Sequence, residues 1–365
     1  MNIENIRINN FRNIREIDLA PINGVNVIYG DNAQGKTNIL EAMWLFSGMR
    51  SFRGARDKDL VNLDSNEMKI DLSFFAKERS QTASIHIYGD KKNIELNEIK
   101  QASQSKLSGE FCVVIFSPDH LLLVKQGPEN RRAMIDSSLS QAYPKYAKIM
   151  ESYKKILKQR ASLLKDIQRN SSLYDLLDVW DKSLVEYGAY ITWIREGYVK
   201  KLGTFAKDIY YGISNSKEEL GIKYRPSFGE DTDGFNREDY AVCLEKAIKN
   251  SRNDDINFGS TSIGPHRDDM DILINSSSAR GFGSQGQQRS CVLALKLAEC
   301  GILEERNSEP PVILLDDVMS ELDETRRSYL LNRLGGMQVV ITCCDHSLFS
   351  ALENGKIFHI ENGCL

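Results

Sequence analysis

The chain has 365 residues, more than one average domain and enough to bury a large core without disulfides or a structural metal. Its formal net charge of -4 argues against a generally basic nucleic-acid binder, so any contact with nucleic acid must come from a local patch. The seven cysteines form no C-x-x-C pair, which argues against a disulfide scaffold or a zinc site. Without a signal peptide or an apolar run of about 20 residues, we expect a cytoplasmic protein with no membrane partner.

The first third of the chain predicts strands on both sides of one glycine-rich loop. Residues 6–11 and 25–29 are short runs with β-like patterning and apolar cores. Residues 68–98 alternate apolar and polar positions, which predicts an antiparallel meander. Residues 111–116 form a compact apolar strand that ends at Ser117-Pro118.

The glycine-rich loop matches the phosphate-binding pattern G-x-x-x-x-G-K-[ST]. It lies between a predicted strand and a predicted helix, which is the context that the pattern requires. Its backbone N–H groups and the helix N-terminus would face the phosphates of ATP. Lys36 would also act in catalysis by reaching the β- and γ-phosphates, and the Thr37 hydroxyl would bind Mg²⁺. The predicted nucleotide contacts in this loop are Gly30, Asp31, Asn32, Ala33, Gln34, Gly35, Lys36 and Thr37.

The middle of the chain predicts a helical hairpin with a polar break at residues 170–172. Residues 145–169, on its first helix, contain eight basic and two acidic side chains. This pattern is compatible with two interpretations. One is a surface that follows the phosphate backbone of DNA with little sequence preference, with Lys154, Lys155 and Lys158 as contacts. The other is an ordinary solvated helix face.

A second nucleotide motif ends the apolar run at residues 312–315, which is typical of a buried parallel strand. The two carboxylates that follow predict that Asp316 holds Mg²⁺ and that Asp317 polarises the water that attacks ATP. Taken alone, the pattern is also that of a common acidic turn. Residues 320–323 resemble the D-loop of ABC-type ATPases at the expected offset, which favours the catalytic interpretation.

Residues 284–289 read Ser-Gln-Gly-Gln-Gln-Arg before a predicted helix and resemble the ABC signature. In that interpretation Ser284, Gly286 and Gln287 contact the γ-phosphate of ATP held by a second protomer. Alone, the segment would be a plain helix cap with a glycine turn. Its position between the phosphate loop and the acidic strand is the ABC order, and this favours the functional interpretation. ATP would then stabilise a head-to-tail homodimer that hydrolysis releases.

With further motifs the chain resembles the RecF family, and among them residues 264–269 are not a generic ATPase motif. These motifs are Phe11-Arg12-Asn13, Phe116-Ser117-Pro118, residues 123–125, Arg131-Arg132, Thr261 and residues 264–269. The fold class expected is α/β, an ABC-type P-loop ATPase lobe with an antiparallel β-subdomain, interrupted by a mainly helical second lobe. We place the ATPase lobe at residues 1–120 and 260–365 and the helical lobe at residues 121–259. The resemblance also implies an ATP-dependent DNA-binding protein of recombinational repair and replication-fork maintenance, which helps load RecA at single-strand gaps with RecO and RecR.

Several roles stay open between two interpretations. Arg12 either reaches the nucleotide or caps a strand, and His266 either lies near the nucleotide or forms a structural corner. Transporter ATPases carry a switch histidine after the strand that here spans residues 339–342. Cys343 stands at that position and His346 comes three residues later. A thiol cannot act on the γ-phosphate as imidazole does, so we expect a weak ATPase that serves as a switch.

Other classes of protein fit the sequence less well. A nucleotide-binding subunit of another ABC system would carry the switch histidine. An SMC-like architectural ATPase would need long heptad repeats, and the predicted helical hairpin is too short for them. A nuclease fused to an ATPase would need a further domain after the last predicted strand.

Overall fold

The computed structural model describes residues 1–214, 216–229, 232–344 and 355–364. The strands are β1 Asn2–Phe11, β2 Ile14–Leu19, β3 Val25–Tyr29, β4 Glu67–Ala76, β5 Arg79–Tyr88, β6 Lys91–Leu96, β7 Ile99–Gln101, β8 Val113–Phe116, β9 Leu220–Arg225, β10 Asp269–Ile274, β11 Ser277–Ser278, β12 Val312–Asp316, β13 Val339–Cys343 and β14 Lys356–His359. The α-helices are α1 Lys36–Leu45, α2 Pro118–Leu121, α3 Pro128–Ala142, α4 Pro144–Ile167, α5 Leu177–Ile213, α6 Arg237–Phe258, α7 Ala279–Phe282, α8 Gln285–Asn307 and α9 Glu324–Arg333. Short 3₁₀ turns span Asp57–Leu60, Gln104–Leu107, Ser171–Leu176 and Val318–Glu321.

A parallel sheet with the order β14-β3-β13-β12-β8 joins the two ends of the chain. Its strands are short apolar runs because both faces of the sheet are covered. Successive residues point to opposite faces, so Ile313 and Leu315 enter one core while Val312 and Leu314 enter the other. The carboxyl ends of β3, β12 and β13 meet at one edge, where ligands of open α/β sheets bind.

An antiparallel sheet with the order β2-β1-β4-β5-β6-β7 packs on one face of this parallel sheet, with α1 in the shared core. The predicted meander is present as β4, β5 and β6. Along β4 the buried positions Met68, Ile70, Leu72 and Phe74 alternate with more exposed ones. The sheet therefore has one face on the core and one towards solvent.

Helices α3 to α6 and α8 cover the opposite face of the parallel sheet, and they share one large core with it. The predicted hairpin is formed by α4 and α5. The pairing of β10 with β9, from Asp269 opposite Arg225 to Ile274 opposite Leu220, ties the segment after residue 260 to the helical part. The boundary expected at residue 260 thus falls inside one packed unit, because the strand pattern there belongs to a small sheet with the order β11-β10-β9.

A buried charge network organises the helical part. Arg160 on α4 is fully buried and donates to Asp181 on α5 and to Asp255 on α6, each at 2.7 Å. It also donates to the Thr261 hydroxyl at 2.8 Å. Arg252 forms a second ion pair with Asp181 at 2.7 Å. These contacts join three helices to the segment that leads back to the sheet. Within the described parts of the chain, no helix is both long enough and apolar enough to cross a bilayer.

Candidate nucleotide-binding site

The phosphate loop connects β3 to α1 at the carboxyl edge of the parallel sheet. Gly30 has φ 159°, and a Cβ there would lie 2.3 Å from the Ile360 carbonyl oxygen, so a side chain would not fit. Gly35, the N-cap of α1, has φ 112°. No side chain caps α1, so its first N–H groups face the loop with their positive partial charge. This is the arrangement that binds a phosphate.

The Lys36 side chain folds back over the loop. Its ammonium donates to the carbonyl oxygens of Gly30 at 2.5 Å and Asp31 at 2.9 Å, and it lies 3.5 Å from the Cys344 sulfur. The residue is buried, so its charge is held in a partly desolvated pocket where an anion would interact strongly with it. A triphosphate would replace the backbone carbonyls as its partner.

The predicted Mg²⁺ ligands lie in direct contact. The Thr37 hydroxyl donates to Asp316 Oδ1 at 2.8 Å, and the Thr342 hydroxyl lies 2.9 Å from the same oxygen. Burial raises the pKa of the Asp316 carboxyl, and the bonds from Thr37 and Thr342 oppose that rise. The hard oxygen donors suit Mg²⁺, which takes few protein ligands and completes its shell with water and phosphate. The described residues contain no cluster of three or more His, Cys, Asp or Glu side chains suited to a metal.

Asp317 follows at the end of β12 in a left-handed conformation, with φ 52°. Its amide donates to the Thr342 hydroxyl at 3.0 Å, and its carbonyl accepts from the Ser320 hydroxyl at 2.8 Å. These bonds fix the backbone at the carboxyl end of β12, and the Ser320 hydroxyl also lies 3.5 Å from Asp317 Oδ1. Sequence reasoning missed Thr342, because a threonine at a strand end carries no motif.

Two segments that are distant in sequence support the phosphate loop. The Asn13 amide donates to the Ala33 carbonyl at 2.9 Å, and its oxygen accepts from Asn38 at 2.6 Å. After β14, the Asn362 amide donates to Gln34 Oε1 at 2.5 Å. Asn13 lies within the Phe-Arg-Asn motif, which was therefore a signal for the site. Nothing in the sequence pattern indicated the contact from Asn362.

Arg12 turns away from the loop to a buried carboxylate. Its guanidinium donates to both oxygens of Glu41 on α1, at 2.8 and 3.1 Å, and Glu41 also accepts from Ser51. Glu41 is fully buried, whereas the Arg12 side chain is 21% exposed. The contacts favour the structural interpretation of Arg12 over direct contact with the nucleotide. The sequence did carry a signal for this contact, because Glu41 lies on the apolar face of α1 and a buried carboxylate needs a cationic partner.

The residue beside the phosphate loop after β13 is Cys344, not Cys343. The strand extends one residue further than predicted and buries Cys343. Cys344 is exposed, and its thiol lies 3.1 Å from Asn32 Oδ1. The shift by one residue arises because strand ends are poorly defined by composition. His346 lies outside the described residues.

The signature segment begins α8 on the helical side of the molecule. The Ser284 hydroxyl accepts from the Gln287 amide at 3.2 Å, and Gln287 Oε1 accepts from the Ser284 amide at 2.8 Å, which forms a capping box. Gln287 also donates to Glu218 at 2.6 Å. A pocket of about 250 Å³ lies here, and its described lining includes no phosphate-loop residue. It is lined by Ile213, Ser214, Lys217, Glu218, Ser284, Gly286, Gln287, Ser290 and Arg326.

His266 forms a structural corner. Its Nε2 lies 3.0 Å from the Thr261 carbonyl, to which it donates, and its Nδ1 accepts from the Tyr153 hydroxyl at 2.7 Å. Burial lowers the pKa of His266 to about 4, so the ring is neutral at physiological pH. Nearby, Arg131 forms a bidentate pair with Asp269 at 2.7 and 3.0 Å. These contacts position β10 and occupy both ring nitrogens of His266.

The basic helix α4 presents fewer available cations than its composition suggests. Lys154, Lys155 and Lys158 are exposed as predicted, but Lys155 pairs with Glu151 at 3.0 Å. Arg160 is fully buried and paired, so it adds nothing to the surface charge. Lys154 and Lys158 lie one helical turn apart and share a stripe.

The comparisons with known proteins agree over the whole chain. A family model described as the RecF/RecN/SMC N terminal domain matches residues 2–365. The DNA replication and repair protein RecF of Clostridium acetobutylicum is 40% identical over 366 residues, which cover 100% of this chain and 99% of that protein. The protein of the same name from Clostridioides difficile is 38% identical over 365 residues, which cover 100% and 97%.

Solved structures give the same result. The recombination mediator protein RecF-ATP of the RecFOR pathway has a TM-score of 0.92 at 38% identity and covers 99% of this chain and 96% of its own. The Smc head domain of Pyrococcus furiosus shares the fold, with a TM-score of 0.54 at 15% identity over 99% of this chain and 94% of its own. These matches confirm the α/β ABC-type ATPase fold that the sequence predicts. The chain therefore belongs to the RecF family of SMC-like, ABC-type ATPases.

Proposed function

We propose that this protein is an ATP-dependent DNA-binding clamp of recombinational repair and replication-fork maintenance. ATP with Mg²⁺ closes a head-to-tail homodimer, and slow hydrolysis opens it. In the closed state the dimer helps load RecA at single-strand gaps with RecO and RecR. The named function of the relatives and the placing of the RecF-ATP structure in the RecFOR pathway support this assignment.

The observation that carries the dimer is the separation of the two halves of the ATP site. Gly30 to Thr37 lie at the carboxyl edge of the parallel sheet, whereas Ser284, Gly286 and Gln287 lie in a pocket of their own on the helical side. Ser284 is exposed at the N-terminus of a 23-residue helix, where a phosphate is stabilised by N–H groups and the helix dipole. A second copy that brings its phosphate loop to this pocket completes the site.

Within one site, the residues take separate roles. Lys36 and the N–H groups of the phosphate loop bind and orient the β- and γ-phosphates. Mg²⁺ held by Thr37 and Asp316 would supply charge neutralisation at the phosphate oxygens. Asp317 accepts a hydrogen bond from the attacking water and so aligns it with the γ-phosphate. Because a thiol, Cys344, stands where an imidazole would assist, hydrolysis is slow and the closed state persists.

Sizing with and without ATP and Mg²⁺ tests the dimer. We expect a monomer-to-dimer shift on addition of ATP that is lost in Lys36→Met and strongly weakened in Ser284→Arg. Ser80→Arg, an exposed change on the antiparallel sheet, is the matched control and should dimerise like the wild type. Normal ATP-dependent dimerisation of the Ser284→Arg protein would exclude the shared site.

The proposed DNA surface is the exposed stripe of α4. Neutralising Lys154, Lys155 and Lys158 to glutamine should lower the affinity for a gapped duplex and flatten its dependence on salt, with the slope falling by about two to three. The matched control neutralises three exposed lysines on and beside the antiparallel sheet, namely Lys91, Lys100 and Lys106. An unchanged salt slope in the α4 variant, or an equal change in the control, would remove this helix as the DNA surface.

A further inference from the structure

Arg326 on α9 joins the signature segment to the chain that follows Asp317. Its Nε donates to the Ser290 hydroxyl at 2.8 Å, and its Nη2 donates to the Gly286 carbonyl at 3.1 Å. Its Nη1 pairs with Asp323, the last residue of the segment that resembles a D-loop. One side chain thus contacts both the first turns of α8 and the start of α9.

We propose that Arg326 is a positioning residue that couples the two ATP sites of the homodimer. The inference rests on the proposed function, because it requires that the signature of each protomer bind the ATP of its partner. Arg326 then connects a segment that senses the partner's ATP with the carboxylate that acts on the protomer's own ATP.

The absence of a side chain at Gly286 lets this arginine pack closely on the signature segment. A Cβ at Gly286 would lie 3.2 Å from Arg326 Nη2, closer than most contacts of that kind. The guanidinium therefore lies directly against the backbone that is to bind the γ-phosphate. A small movement of α8 on phosphate binding must move Arg326 with it or break two hydrogen bonds.

The path from Arg326 back to Asp317 is short and well packed. Between Asp317 and Asp323, the side chains of Val318, Met319 and Leu322 are buried in the core that α8 shares. The Ser320 hydroxyl closes the turn on the Asp317 carbonyl at 2.8 Å. Packed elements of this kind shift as units, so a displacement of α8 also displaces the Asp317 backbone.

Another arginine, Arg289 on α8, provides a matched comparison. Arg289 donates to the Glu321 carbonyl and carboxylate, each at 2.7 Å, and thus also links α8 to the same segment. Its side chain is 39% exposed, against 25% for Arg326, and it donates to Glu321 rather than to the Gly286 carbonyl. Water weakens such an exposed link, so its loss should matter much less.

The test measures the ATPase rate against ATP concentration for the wild type, Arg326→Gln, Arg326→Lys and Arg289→Gln, at a protein concentration where ATP drives dimerisation. We expect a sigmoidal curve for the wild type. The Arg326→Gln curve should lose its sigmoidal shape, with kcat about tenfold lower, which lies within the usual range of coupling between sites. Arg326→Lys should be intermediate, because it keeps the charge without the fork of donors. Arg289→Gln leaves the contacts of Arg326 with Ser290 and Gly286 in place, so its curve should stay sigmoidal.

Controls separate folding and the proposed function from the inference. ATP binding to the dilute monomer and the melting temperature report whether Arg326→Gln is folded, since the phosphate loop lies elsewhere. If the wild type stays monomeric with ATP, the proposed function fails and the inference fails with it. If the wild type dimerises but Arg326→Gln remains as cooperative as the wild type, or Arg289→Gln loses as much, only the coupling role is overturned.

Discussion

Replacing Arg160 by methionine removes the cation that bridges Asp181 and Asp255 inside the helical part. Breaking a buried ion pair from one side costs about 3–5 kcal/mol, because a carboxylate is left without compensation. Asp181 keeps its pair with Arg252, so most of the cost falls on Asp255. Asp255 retains hydrogen bonds from the Ser262 amide and hydroxyl at 2.9 and 2.6 Å. We therefore expect a loss near the lower end, about 3 kcal/mol.

Urea unfolding followed by tryptophan fluorescence measures this loss, because Trp180 and Trp193 both lie on α5. Adding Asp255→Asn to Arg160→Met should recover part of the stability, since the uncompensated charge is then removed. Affinity for DNA should be unchanged where the variant is folded. A variant as stable as the wild type that binds DNA more weakly would refute the reasoning, because Arg160 would then act as an exposed DNA contact.

Three further variants test the site. Between pH 6.5 and about 4 the unfolded chain binds a proton that folded, neutral His266 does not, so lowering the pH through this range reduces the free energy of unfolding by at most about 3 kcal/mol. Urea unfolding should show a smaller reduction in His266→Gln. Arg12→Met should lower the free energy of unfolding by about 2–4 kcal/mol, and adding Glu41→Gln should restore part of it. A large loss of ATP affinity in calorimetry would instead make Arg12 a nucleotide ligand. Thr342→Val should lower the Mg²⁺-dependent ATPase rate about tenfold and leave Mg²⁺-free ATP binding unchanged, and an unaltered rate would show that Thr342 does not orient Asp316.

The parts of the fold that the sequence predicts are those with local signals. The phosphate loop is eight consecutive residues between a strand and a helix, so its conformation follows from its own glycines and its position. The apolar run before Asp316 is typical of a strand covered on both faces, and the structure has β12 there. The hairpin of α4 and α5 follows from helical periodicity and one polar break.

Contacts that join distant residues were not predicted, and some had signals that were missed. Arg160 lies seven residues after Tyr153 and four before Leu164, on the apolar face of α4, so periodicity already placed it in the core. The acids that compensate it come from other helices, and one sequence does not show which ones. The pairing of β9 with β10, which crosses the boundary predicted at residue 260, is equally remote from any local signal.

Mixing two inactive variants tests the shared site most directly. Lys36→Met removes the phosphate-loop lysine and Ser284→Arg blocks the signature, so neither homodimer has an intact site. In a mixed dimer, the phosphate loop of the Ser284→Arg protomer meets the signature of the Lys36→Met protomer, and one complete site is restored. We predict that the mixture dimerises and hydrolyses ATP well above the sum of the two variants measured alone. A mixture no more active than the sum of its parts would show that ATP is enclosed by a single chain.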